Sequence, residues 1–140
     1  MSRKIIIEHN GQTYYGTLAT IDKTTVGYED HGILTAYLHC SWPSGGIGVG
    51  GYSLDQYDPS AKKRVPTAYG FDQLVQIMRT VGVDRWESLS GKQVIVLFDE
   101  EVSLGCIAKG IAGTVNDRVL ILAEHAEQWR ERGSTCEGGC

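Results

Sequence analysis

The sequence predicts an α+β fold in which antiparallel β-hairpins form a sheet packed with one central amphipathic helix and a C-terminal helix. Three observations lead there. Asn10-Gly11 lies between β-prone runs in "IIIEHNGQTYYG", the signature of a two-residue type I′ hairpin. "ILTAYLHCSW" and "IGVGGYSLDQYD" flank the breakers Pro43, Ser44 and Gly45, which gives a second hairpin. "FDQLVQIMRTVG" repeats apolar residues at three- and four-residue spacing, with Phe71, Leu74, Val75, Met78 and Val81 as the inward face and Gly82 as the stop.

Taken in order, Lys4 to Ile21 forms the first hairpin, and "GYEDHG" is a turn-rich link to the strand "ILTAYLHCSW". "DPSAKKRVPTAYG" has no periodicity and reads as a loop before the helix. "DRWESLSG" fits one short helical turn, because Asp84 and Glu87 have capping-box spacing. "KQVIVLFD" is a strand, and "VSLGCIAKGIAG" is its partner across the acidic turn Asp99-Glu100-Glu101. The segment "NDRVLILAEHAEQWRER" is either a helix from Asn116 or a short strand Val119–Leu122 followed by a helix; periodicity leaves both open. Residues 1–132 are expected to form one domain, and 133–140 a flexible Cys/Gly tail.

Charge and composition exclude some functions. The 140 residues carry a formal net charge of −4 and no basic run long enough to neutralise a duplex backbone. A small anionic ligand needs only a few cations and stays compatible. No stretch has transmembrane length, and "MSRKIIIEHNG" lacks a signal-peptide core, so a cytoplasmic location is expected. Cys40 and Cys106 read as reduced core thiols, and Cys136 and Cys140 as part of the tail. His9, His31, His39 and His125 lack close ligand spacing, so neither a metal nor another cofactor is expected.

The most unusual stretch is "GGIGVGG" at residues 45–51. Gly46, Gly48 and Gly51 spell the dinucleotide fingerprint G-x-G-x-x-G in a chain that holds 18 glycines. That motif must open a helix, yet "YSLDQYDP" alternates like a strand and ends at proline, and no acidic ribose ligand follows at the required distance. A hairpin fits better. Leu34, Ala36, Leu38, Cys40 and Trp42 then share a core face with Ile47, Val49 and Gly51. Tyr37, His39 and Ser41 share the opposite face with Gly46, Gly48 and Gly50, and Tyr52 continues the row. Each glycine costs a strand up to about 1 kcal/mol, so a stripe of three needs a reason. Three are open: a helix or aromatic rings of the protein cover the bare backbone, a flat ligand or partner chain lies there, or the strand is bulged.

If a nucleotide lies on this floor, Tyr37 or Tyr52 would stack on it, with His39 beside them. Arg64, from "KKR", or Arg79, at the helix end, would neutralise its charge. Catalysis has poorer support. Asp30 and His31 converge only within a turn, His39 and Cys40 point to opposite faces of a strand, and no nucleophile elbow surrounds any serine. Trp86 and Trp129 read as core or interface anchors.

The combination "GYEDHGILTAYLH…GGYSLDQYD…RVPTAYGFDQLVQIMRTVGVDRWESLSGK", covering about residues 27–98, resembles a class of short phage-encoded proteins. Through that class it resembles the first-described Thoeris anti-defence family. The resemblance implies a homo-oligomer that sequesters a cyclic ADP-ribose signal, and in some members cyclic oligonucleotides, at subunit interfaces without cleaving it. It supplies no residue-by-residue ligand assignment; the site residues above come from the hairpin alone. The alternative expectation is a phage inhibitor that blocks a bacterial defence protein such as a CRISPR effector. An enzyme acting on a cyclic nucleotide through Asp30, His31 and His39 ranks last.

Overall fold

The computed structural model describes residues 5–29, 32–101 and 107–135, with side chains described to residue 130. In chain order the strands are β1 (Ile5–His9), β2 (Gln12–Tyr28), β3 (Leu34–Trp42), β4 (Gly45–Ser53), β5 (Asp55–Asp58) and β6 (Lys63–Pro66). Then come helix α1 (Ala68–Val81), a 3₁₀ turn at Trp86–Ser88, β7 (Gln93–Phe98), β8 (Gly110–Ala112), β9 (Val119–Ile121) and α2 (Leu122–Thr135). The class is α+β, as the sequence implies. A curled antiparallel sheet in the order β4-β3-β2-β7-β8-β9, with β1 also on β2, packs with the two helices.

Strand β2 organises the sheet. Its first part pairs with β1 through the Asn10-Gly11 turn, where both residues have positive φ, 49° and 78°. Its second part pairs with β3 along the same edge, and Tyr15–Thr20 pair with β7 on the other edge. A bulge between Ile21 and Lys23 bends β2 within its pairing with β3, just past the stretch that pairs with β7. One face of the sheet buries Ile21, Leu38, Val49, Val94, Val96 and Phe98 against Ile77 and Val81 of α1. The opposite face, within the curl, buries Tyr14, Leu97, Ala112 and Ile121. The curl brings the β1–β2 turn to α2, where His9 and Asn10 both bond Glu124.

Three expectations change and one ambiguity resolves. The long second strand of the glycine hairpin breaks at Leu54, and the expected loop contains β6, which pairs with β5. Asp58 nucleates the intervening turn by accepting from the Ser60 backbone N–H and hydroxyl. The C-terminal ambiguity resolves as a strand, β9, followed directly by α2. The buried stripe of α1 is Gly70, Gln73, Ile77, Thr80 and Val81, whereas Phe71 is 71% exposed. Close approach explains that rotation. A Cβ at Gly70 would collide with the Leu54 backbone, so only glycine lets the helix sit there. Of the polar members of the stripe, Thr80 donates to the Gln76 carbonyl, and Gln73 donates to the Tyr69 hydroxyl while its Oε1 is buried without a partner among the described residues. Helix α2 continues through residues 133–135, where the tail was expected to begin. Asp30, His31, Cys106, Cys136 and Cys140 lie outside the described residues.

Cys40 is a core thiol, as expected. Burial, and secondarily the charge of Asp22, pushes its pKa up to about 12. Peptide mapping after iodoacetamide treatment at neutral pH should find Cys40 unmodified in the native protein and labelled only in denaturant. Rapid labelling of native Cys40 would contradict the core placement.

Candidate functional site

The outer face of β2–β3–β4, away from α1, carries some of the residues singled out in the sequence: Tyr37 and His39 with Gly46, Gly48 and Gly50 opposite them. Register pairs Tyr37 with Gly50, His39 with Gly48 and Ser41 with Gly46, as the hairpin reading requires. A bulge then interrupts the row. Gly50 and Gly51 take φ of 133° and 92°, and pairing resumes one residue out of step at Thr35 and Ser53. Gly51 therefore turns toward Tyr37 instead of the core, and Tyr52 leaves the row for the face that carries α1. Burial raises the pKa of Tyr69, which α1 presents on that face.

The glycines seat a ring of the protein itself. A Cβ at Gly51 would lie 2.7 Å from the Tyr37 hydroxyl oxygen, and one at Gly48 would lie 3.5 Å from its Cδ1. Tyr37 thus lies across Gly48 and Gly51, with His39 tilted beside it at a ring-centroid distance of 6.2 Å. On its other side is a recess of about 420 Å³, lined by Thr25, Gly27, Glu29, Thr35 and Tyr37 among others. Nothing lies within 4 Å of where a Gly27 Cβ would stand, so the floor of this recess is open. Thr25 Oγ1 and His39 Nε2 are 3.1 Å apart. Lys23 pairs with His39 in the register, which puts an exposed cation on the same face. The hairpin predicted from sequence ends at Ile21 and so leaves out Lys23, Thr25 and Gly27. Their signal was present as alternation in "KTTVGY".

The two arginines are elsewhere. Arg64 donates to the Asp55 carboxylate at 2.9 Å and to the Asp55 carbonyl, joining β5 to β6. Asp55 also accepts from the Leu34 backbone N–H. Arg79 is exposed in the last turn of α1, and its carbonyl accepts from Asn116 between β8 and β9, at the opposite end of the sheet order from β4. Trp86 packs against the core and donates to the Thr24 hydroxyl at 3.0 Å.

A second recess, also about 420 Å³, lies between α1, α2 and β9, and no motif in the sequence points to it. Asp72 accepts from His125 Nε2 at 2.7 Å, Trp129 Nε1 at 3.1 Å and Gln76 Nε2 at 3.3 Å. Beside it, Glu124 bonds His9 at 2.9 Å and Asn10 at 2.7 Å. His125 and Trp129 are four apart on one helix, but nothing in the sequence ties either to Asp72, 53 residues from His125. Among the described residues no group of three or more His, Cys, Asp or Glu is arranged to hold a metal.

These contacts define a pH dependence. Burial would raise the Asp72 and Glu124 pKa values, but hydrogen bonds from His125, Trp129 and Gln76, and from His9 and Asn10, outweigh it and hold both below the ordinary range. The Arg64 hydrogen bond does the same for Asp55. A lowered folded pKa means stability that is complete above the unfolded carboxyl range, near pH ~4, and lost as pH falls through the lower folded values. The urea midpoint should hold from about pH 7 to 5 and drop below about 4, with the drop reduced in Asp72→Asn. An unchanged drop in that variant would contradict the assignment.

No family model, curated protein or solved structure matches the chain. No helix among the described residues is long and apolar enough to cross a membrane.

Proposed function

We propose that the chain binds a nucleotide-type ligand of the cyclic ADP-ribose class on the outer face of β2–β3–β4 and holds it without cleaving it. The observation that carries this reading is the Tyr37 ring, seated on Gly48 and Gly51 beside a recess with an open floor at Gly27. A ring fixed before binding stacks on a base at little conformational cost. Lys23 supplies charge for a phosphate, and Thr25 and Thr35 supply hydroxyls. Thr25 with His39 is the arrangement on this face nearest to a nucleophile with its base, but no carboxylate bonds the other His39 nitrogen among the described residues. That favours retention over cleavage.

Mixing the protein with cyclic ADP-ribose isomers and cyclic oligonucleotides, filtering, and assaying before and after heating tests the reading. A ligand that is depleted and then returns intact supports it. One that returns as a product means an enzyme, and no depletion removes the reading.

Self-association, which the resemblance implies, has support on α1. Phe71 is exposed, and Leu74, Val75 and Met78 complete an i, i+3, i+4, i+7 stripe that is only half-buried. Phe71→Glu should lower the mass seen by sedimentation without loss of helical signal; an unchanged mass would take the stripe out of any oligomer. The alternative, a blocker of a defence protein, is favoured by one feature. β4 ends the sheet order, which leaves an edge against which a partner's strand can pair.

A further inference from the structure

We propose that the Glu29 end of the outer-face recess reads a ribose by its free 2′,3′-diol, so that the chain selects nucleotides in which both hydroxyls are unblocked. The inference rests on the nucleotide reading above and gives a role to a carboxylate which that reading leaves unassigned. Alternation carries Lys23, Thr25 and Gly27 along one face of β2. Glu29 continues that row, because its backbone N–H donates to the Ile33 carbonyl at 2.9 Å and extends the β2–β3 ladder past Tyr28 and Leu34. Lys23 and Glu29 therefore stand at opposite ends of the row, about 20 Å apart at the rise of a strand. Tyr37 lies between them, opposite Thr25.

The independent observation is Thr35. It shares the Tyr37 face of β3, lines the recess and is only 4% exposed. Its hydroxyl has no hydrogen-bond partner among the described residues, nor is it sealed from solvent as Gln73 Oε1 is. The space beside it is the recess, because its partner on β2 is Gly27, where an added Cβ would meet nothing within 4 Å. Glu29 is exposed, lines the same recess and makes no ion pair among the described residues. The empty position at Gly27 thus has a carboxylate next along β2 and an unpaired hydroxyl opposite. A carboxylate accepts both O–H donors of a cis-diol, one on each oxygen, and the Thr35 hydroxyl can donate or accept in turn. A site built to bond a hydroxyl rejects the analogue that lacks it, because its own polar groups are then left unmet. A phosphate in the same place would meet the Glu29 charge and be repelled. The two ends of the row therefore sort the ligand, with phosphate toward Lys23 and hydroxyls toward Glu29.

The test titrates the full chain, in ¹H–¹⁵N spectra, with adenosine 5′-monophosphate, its 2′-deoxy analogue and adenosine 2′,5′-bisphosphate. Adenosine 5′-monophosphate should shift Gly27, Thr35 and Tyr37 to saturation. The deoxy analogue should bind about tenfold more weakly, as loss of one charge-assisted hydrogen bond implies, and the bisphosphate more weakly still. In Glu29→Gln the preference over the deoxy analogue should fall to about twofold while the bisphosphate gains affinity, opposite changes that a loss of structure would not produce. The Glu29 side chain is exposed and the turn bonds only its backbone, so this variant should keep the fold. Equal binding of all three probes with shifts at Tyr37 would overturn the diol inference and leave the nucleotide reading standing. So would a preference that survives intact in Glu29→Gln. No shift at Tyr37 with any probe would overturn both.

Discussion

Gly50→Ala is expected to destabilise the protein by about 3 kcal/mol or more, while Gly48→Ala, two residues away in the same strand, should be almost silent. Gly50 has φ of 133°, which L side chains rarely adopt, and its Cβ would collide with the Ala36 carbonyl oxygen. Relief would require breaking the β3–β4 bulge, and with it the position of Gly51 under Tyr37. A Cβ at Gly48 meets Tyr37 Cδ1 at an ordinary 3.5 Å, and alanine suits a strand better than glycine does. Urea midpoints of the two variants measure the difference. Equal losses at both positions would mean that the stripe matters as bare surface and not as a bulge with a seat.

Tyr37→Ala is expected to weaken the bound nucleotide by about 10- to 100-fold, the cost of one lost base stack. Tyr37→Phe should retain most of the affinity, because the ring makes the stack. Gly48→Val should fall between them, since a branched side chain pushes the Tyr37 ring off its seat while the backbone stays in an allowed strand conformation. Isothermal titration with the ligand retained in the filtration assay gives all three values. Full affinity in a folded Tyr37→Ala protein would remove the outer face of β3 from the site.

These two predictions mark where the sequence was readable. Local chemistry is legible: Asn10-Gly11 specifies its turn, Gly82 caps α1 as its type suggests, and hairpin parity places Leu38, Cys40 and Val49 in the core. Parity failed at Gly50-Gly51, because an inserted residue reverses every later side chain and no composition rule counts it. Helix periodicity found α1 but turned it the wrong way. Hydrophobicity favoured Phe71, Leu74, Val75 and Met78, whereas a backbone approach at Gly70 decided which side faces the sheet. The glycine stripe is conspicuous in the sequence, and its neighbour Tyr37 supplies a purpose for it. What stayed invisible was long-range pairing. Arg64 looked like a free cation until Asp55 claimed it, and Asp72, Glu124 and His125 meet only because the curled sheet brings the β1–β2 turn and α1 onto α2.

The central claim is that a nucleotide lies against Tyr37 on the outer face of β2–β3–β4. Amide chemical-shift mapping of the full chain during titration with the cyclic ADP-ribose isomer that it retains tests this most directly. The account predicts saturating shifts at Lys23, Thr25, Gly27, Tyr37 and His39, with α2 unchanged. Shifts confined to Asp72, Glu124, His125 and Trp129, with none along β3, would contradict it.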